Sequence, residues 1–234
     1  MFRSLAVRQC EPEWMDAPDA DADQLRRSLA FIRAVNVAFG YTRATLRHLD
    51  RFSRSWDRGR RVTILDVATG SGDVPAAILR WADRRGFDVR VVGLDLHEAT
   101  VRAAADRNRD SRFRLIRADA TRLPFADGAF DCVITSMFLH HLDDAAAVMV
   151  MREMSRVARH GVIAADLLRG RRAYAWISAF TLLANPMVRH DARVSVQQAF
   201  NEPEVLALRD RAGWTFAGFF KHFGHRFVLA GEKD

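Results

Sequence analysis

The sequence predicts an α/β fold, a doubly wound and mostly parallel sheet, and three observations predict it. Residues 62–75 run from an apolar strand through a glycine turn directly into helical pattern. Strand and helix then alternate down to Asp166, at a spacing that specifies parallel strands with helices on both faces. Two more apolar runs, 216–221 and 226–230, are separated only by His222-Phe-Gly-His225 and read as an antiparallel closing pair.

In chain order, residues 1–20 contain Pro12, Pro18 and several acids and read as a loose leader. From Asp23 the apolar residues Leu25, Leu29, Ile32, Val35, Val37 and Phe39, then Leu46, Leu49 and Phe52, predict two amphipathic helices broken near Gly40-Tyr41. Residues 1–58 are thus a leader and helical cover, and residues 59–234 the main domain. The core is expected as strand 62–67, helix 76–86, strand 89–94, helix 97–109, strand 113–116, a turn at 124–128, strand 130–136, helix 143–158 and strand 161–166. Residues 169–200 exceed a simple crossover and form a helical insertion after strand five. A last helix spans 202–212.

Composition bounds the function. The chain has 234 residues, 49% of them hydrophobic, enough for one globular domain with a sizeable core. Two cysteines, Cys10 and Cys132, are too few for a disulfide framework; Cys132 lies in an apolar strand and reads as a buried free thiol. No zinc-type spacing exists, and no metal site is predicted. The net charge of +7 comes almost wholly from arginine, since Lys221 and Lys233 are the only lysines. The arginines are dispersed, which argues against a nucleic-acid surface and leaves attraction to an acidic lipid surface open. The apolar stretch 173–184 is too short to span a bilayer. With no secretion-signal pattern at the start, the cytoplasm is the expected compartment. Oligomeric state is not predicted.

The glycine turn is the centre of the functional reading. Gly70 and Gly72 allow a sharp turn whose unpaired N–H groups suit an anion or a polar small molecule. The phosphate-loop pattern and the three-glycine dinucleotide fingerprint are both missing: position 75 is Pro and no lysine follows. Asp66, just before the turn, would repel a pyrophosphate and attract a cation. A ligand with an ammonium group fits better, and S-adenosylmethionine (SAM) has an ammonium, a carboxylate and a ribose-adenine end. Asp95, about twenty residues past the glycines at a strand end, suits ribose hydroxyls in either NAD or SAM.

Four motifs then resemble those of one family in order. Asp66-Val-Ala-Thr-Gly-Ser-Gly72, Gly93-Leu-Asp95, Ala118-Asp-Ala-Thr-Arg-Leu-Pro-Phe125 and Phe130-Asp-Cys-Val133 are similar to the ordered motifs of class I SAM-dependent methyltransferases. The likeness covers roughly residues 62–167. It is greatest to the small-molecule branch that includes the ubiquinone and menaquinone C-methyltransferases. The resemblance implies a Rossmann-like seven-stranded sheet with a reversed last strand, and SAM as cofactor. It places Gly70 and Gly72 at the methionine part, Asp95 at the ribose, and Asp119 with the backbone of Ala120 at the adenine, and it adds Asp66, Ala68, Leu96 and Ser136 to the cofactor-binding residues. Ala68 departs from the family, where many members have glycine. The helical cover would bring Tyr41, Thr42 or Arg43 near the cofactor carboxylate.

Methyl transfer from a sulfonium is an in-line displacement, so the protein mainly aligns the reactants and excludes water. What the protein can add is a base for a phenol, an enol or an activated ring carbon. His140 and His141 follow strand four and are the candidates, His140 first. The insertion would shape the acceptor pocket with Tyr174, Trp176, Phe180 and His190, suiting an aromatic or lipid-tailed acceptor. Each residue also has a plainer role: the glycines as turn residues, Asp95 as a helix cap, the histidines as caps and the aromatics as core. Independent caps would have no reason to fall at successive carboxyl ends of strands. The expected function is methyl transfer to O or C of a small phenolic, quinol or polyketide-like acceptor. The rivals are an RNA or protein methyltransferase and a non-catalytic SAM-binding scaffold.

Overall fold

The structure is a computed structural model that describes residues 5–9, 11, 13, 14, 28, 31 and 41–233. Most of the expected first cover helix, and the break at Gly40, lie outside the described residues, as does Cys10. The second cover helix is α1 (Tyr41–Phe52). There follow β1 (Val62–Val67), α2 (Asp73–Arg85), β2 (Val89–Asp95), α3 (Glu98–Arg107), β3 (Phe113–Arg117) and β4 (Phe130–Ser136). The chain continues through α4 (Asp144–Val157), β5 (Ala158–Leu167), α5 (Arg171–Phe180), α6 (Pro186–Gln198), α7 (Glu202–Ala212), β6 (Gly218–His222) and β7 (Arg226–Glu232).

One seven-stranded sheet has the order β3-β2-β1-β4-β5-β7-β6. The first five strands are parallel, and β7 runs antiparallel between β5 and β6. Helices cover both faces, so β1 and β4 read as near-continuous apolar runs. Within them the period of two still sorts side chains into separate cores. Leu65, Val67, Val133, Val162 and Ala164 face α4 and α7, together with Met151, Leu208 and the fully buried Trp214. Ile64, Cys132, Ile134, Ile163 and Ala165 face α1 and α2, with Leu49, Phe52, Ile78 and Trp81. Cys132 is a buried free thiol, 1% exposed, and burial holds its pKa above the usual range. Asp131, in the fourth motif, accepts from the Thr63 N–H (2.8 Å) and hydroxyl (2.9 Å), tying the starts of β4 and β1 together.

Helix α2 begins three residues earlier than expected. Pro75 looks like a breaker in sequence, but in the first turn its missing N–H would have had no partner anyway. β5 is longer than expected, and an irregularity opposite Phe130 and Cys132 lets its start join β4. The insertion is a helix pair. Asn185 caps α6 by accepting from the Val188 N–H at 2.9 Å, with Pro186 in the first turn.

The described part of the leader is bonded down, where the sequence suggested a loose segment. Arg8 donates to the carbonyls of His140 (2.8 Å), Leu142 and Gln198 (2.5 Å), and its guanidinium lies 3.8 Å over the Phe200 ring. The Gln9 N–H donates to the Gln197 carbonyl at 3.2 Å. A single arginine thus ties the leader to the loop after β4 and to the end of the insertion.

Candidate active site

The strand order reverses between β1 and β4, and the crevice beyond their carboxyl ends is where open α/β sheets take ligands. A cavity of about 340 Å³ opens there. One wall is the glycine turn, from Ala68 to Ser71 with Asp73 and Val74; the opposite wall comes from the β4 end, α5, α6 and the β6–β7 hairpin.

The turn is built from left-handed residues: Ala68 (φ 56°), Gly70 (φ 53°) and Gly72 (φ 75°). A Cβ on Gly72 would lie 2.6 Å from the Asn108 amide nitrogen, so this position is closed to side chains on its inner side. A Cβ on Gly70 would meet nothing within 4 Å, because it would point into open space beside the cavity wall. Gly70 therefore leaves room for a ligand as well as supplying the turn. Ala68 carries a Cβ in a conformation that costs L-residues roughly 1–2 kcal/mol. Ala68→Gly is accordingly expected to raise stability by about 1 kcal/mol, after allowing for glycine's greater chain entropy. Urea denaturation measures this, and an unchanged or lower midpoint would show the strain to be absent.

Acidic side chains hold the turn from behind. Asp66 is buried, and its Oδ2 accepts from the Thr69 hydroxyl at 2.6 Å. Burial raises its pKa to about 7 against the Thr69 hydrogen bond, with the Asp95 charge adding to the rise. Asp66 stands behind the turn and does not line the cavity. Asp95 accepts from the Gly70 N–H (3.0 Å) on one oxygen and the His97 N–H (3.1 Å) on the other. A carboxylate has about four acceptor sites, so it retains capacity for ligand hydroxyls. Leu96 is 53% exposed beside it. Asp119 accepts from both the N–H and the hydroxyl of Thr121 at 2.8 Å, which lowers its pKa, and Ala120 is buried. These residues stand in a row along the ends of β2 and β3, outside the cavity and next to the turn.

The β4 end carries the titratable cluster. His140 is 2% exposed and lines the cavity; its ring Nδ1 lies 2.7 Å from Asp166 Oδ1, and its own N–H donates to Asp166 Oδ2 at 3.0 Å. Two bonds to one carboxylate fix both backbone and ring, leaving Nε2 on the other side of the ring. Glu13 Oε1 stands 3.9 Å from that Nε2 and accepts from the Ser195 hydroxyl. Burial alone would lower the His140 pKa, but the charges of Asp166 and Glu13 outweigh it and raise the pKa. Asp166 is lowered despite its burial, by His140 and two backbone N–H groups. His141 is exposed at the cavity, with its ring centroid 4.2 Å from that of His140; crowding by surrounding protein and the His140 charge lower its pKa, which favours the neutral ring. Glu13, His140 and His141 bring donor atoms within 4.8 Å of one another. These are also metal-ligand types, but Ser195 holding Glu13 and Asp166 holding His140 account for the arrangement without an ion.

Of the insertion residues expected at the acceptor, only Trp176 lines the cavity. Ala173, Trp176 and Ile177 form the inner face of α5, at the spacing of one helix face, and Tyr174 is rotated off it. On α6 the inner face is Val188, Asp191, Ala192, Ser195 and Val196, and His190 is likewise off it. Tyr174 and His190 line a separate surface depression, where His190 stacks on Trp14 at 4.0 Å. Phe180 backs the cavity wall by stacking on Trp176 at 5.3 Å. From the cover helix, Thr42 lines the cavity, and Thr45 lies 3.3 Å from Ser136, hydroxyl to hydroxyl.

Sequence reasoning missed Glu13, Met137, Asp166 and His225. Met137 and His225 are, with Ala68, the only non-glycine residues of positive φ among those described, and all three line the cavity. Backbone strain is concentrated where the ligand would bind.

The comparisons with known proteins agree with this geometry. A methyltransferase-domain family model matches residues 64–161. A demethylmenaquinone methyltransferase of Roseiflexus sp. is 39% identical over 170 residues, covering 64% of this chain and 67% of its own. The chain belongs to the class I SAM-dependent methyltransferases. A ubiquinone/menaquinone biosynthesis C-methyltransferase of Idiomarina loihiensis is 33% identical over 106 residues, 44% of this methyltransferase and 40% of its own length. The solved SAM-dependent methyltransferase of Aquifex aeolicus has the same fold, with a TM-score of 0.53 at 17% identity over 73% of this chain and 81% of its own.

SAM is the cofactor of this methyltransferase, and it supplies an electrophilic methyl group on a sulfonium. The site has room for it: the open space at Gly70 accepts a close ligand, and Asp95, beside the turn, keeps acceptor capacity for hydroxyl groups. No helix among the described residues is long and apolar enough to cross a membrane.

Proposed function

We propose that the enzyme methylates a ring position of a small hydrophobic quinol-type acceptor, with His140 as the base and Asp166 orienting it. The supporting observation is the buried Asp166–His140 pair facing a mostly apolar cavity next to the glycine turn. The names of the relatives add the quinone-type acceptor and favour carbon over oxygen. In this reading the glycine turn, with Ser136, holds the methionine part, and Asp95, Leu96, Asp119 and Ala120 the ribose-adenine part.

The acceptor ring lies between Trp176, Ile177 and Val188, in walls that keep water out. Its hydroxyl faces His140, which takes the proton at Nε2 while Asp166 keeps Nδ1 protonated and supports the imidazolium. With SAM bound, the electron-rich ring carbon would take the methyl group as its bond to sulfur breaks to leave S-adenosylhomocysteine. The proton on that carbon would then pass to solvent while the His140 imidazolium returns its proton to the ring oxygen, restoring aromaticity. Neutral His141 beside this cluster adds no competing positive charge.

The test is turnover of methyl-labelled SAM with a short-tailed demethylnaphthoquinol, the product being read by mass spectrometry and NMR for a carbon-bound methyl. Label on oxygen would move the assignment to O-methylation. Label only in RNA or protein fractions of a cell extract would overturn the small-acceptor reading.

A further inference from the structure

Beyond methyl transfer, we infer that the insertion end of the molecule docks on an anionic lipid bilayer. The turn between α5 and α6 projects Leu182 and Leu183, 61% and 98% exposed. The β6–β7 hairpin projects Phe223, 80% exposed. Isolated exposed apolar residues are ordinary, but these two tips belong to the segments that wall the cavity: Ile177 and Thr181 precede the first, and Gly224 and His225 follow the second. The solvent-exposed apolar groups therefore stand at the rim of an apolar cavity.

Charge beside the first tip fits a headgroup layer. The surface depression adjoining the turn is lined by Pro186, Arg189 and Arg193 of α6, with Tyr174, His190 and a half-exposed Trp14. Arg189 and Arg193 are spaced to share one helix face, and the Nε of Arg193 has no hydrogen-bond partner among the described residues. Glu11 is the acidic residue of this depression. Guanidinium groups suit phosphate oxygens, and Trp and Tyr suit the polar boundary of a bilayer. Two leucines projecting past a basic, aromatic depression match a shallow insertion below phosphates. The protein's charge of +7 adds a favourable field. That the docked face is also the acceptor's entrance rests on the acceptor reading above.

The test is flotation of the full chain with vesicles of phosphatidylcholine, alone or mixed in equal parts with phosphatidylglycerol. The protein is expected to float with the mixed vesicles and much less with phosphatidylcholine alone. The double variant Leu182→Ser/Leu183→Ser should lower partition about tenfold or more, given the apolar area withdrawn. Arg193→Gln should weaken binding only to the anionic vesicles. Turnover of a short-tailed, water-soluble acceptor should be unchanged in the leucine variant, which shows it to be folded. Absent flotation of the wild type, or equal flotation of the leucine variant, overturns the docking proposal. Self-association abolished by the leucine substitutions, without vesicle binding, would assign the surface to a second copy and overturn it too. Failure of the acceptor reading looks different: vesicles bind but no quinol is methylated.

Discussion

Asp166→Asn is expected to lower turnover by about 10²–10³-fold, within the range lost when a positioned base is disabled, with SAM affinity unchanged. The amide is nearly isosteric, so the fold should persist, but it does not carry the charge that holds Nδ1 protonated and stabilises the imidazolium. His140→Ala should lose at least as much. The pH profile separates this from a packing effect. His140 has a raised pKa, so the neutral base is populated only as pH rises through a value above 6.5, and the rate should rise across that window. The Asp166→Asn substitution removes the main raising charge and should move the rise to lower pH. The linkage to stability has the opposite sign for His140: its contribution is complete below 6.5 and is lost as pH rises through the folded pKa. Asp166 is lowered, so its contribution is present above 3.8 and is lost as pH falls through its folded value. Full activity of both variants across pH would remove the dyad from the mechanism.

Asp95→Ala should weaken SAM binding by about 10- to 100-fold or more, since hydrogen bonds to a charged group contribute about 1.5–3 kcal/mol and 1.4 kcal/mol is tenfold. The carboxylate works twice. It would meet the ribose hydroxyls, and it already holds the Gly70 and His97 N–H groups that set the glycine turn and the start of α3. Asp95→Asn retains one acceptor oxygen and should fall between the two. Titration calorimetry with SAM and with S-adenosylhomocysteine reads this directly. Unchanged affinity for both would take Asp95 out of the cofactor site.

Local pattern carried much of the molecule. Strands β1 to β4 and helix α7 lie where periodicity puts them, because apolar runs bounded by glycine, proline and capping residues are local signals. The glycine turn was legible for the same reason: an αL turn between strand and helix demands Gly70 and Gly72 by itself. Face assignment in the insertion was not. Tyr174 and His190 are chemically suited to an acceptor, yet one residue of helix turns a side chain by about 100°, and only packing decides which face looks inward. Ala68 reads as a harmless replacement for glycine until its φ of 56° is known.

The sequence by itself determined a parallel α/β sheet, the turn at Gly70 and Gly72, acids at the ends of β1, β2 and β3, and a histidine pair after β4, all within short windows of chain. Only the tertiary structure decided what those groups meet. Asp166 is 26 residues from His140 and reaches it because β4 and β5 are neighbours in the sheet. Glu13 and Arg8 reach the same loop from more than a hundred residues away, across a leader that has no periodicity of its own. Strand order and helix-face packing are settled by burying the whole apolar surface at once, so residue pairing across the sheet is invisible to any local window.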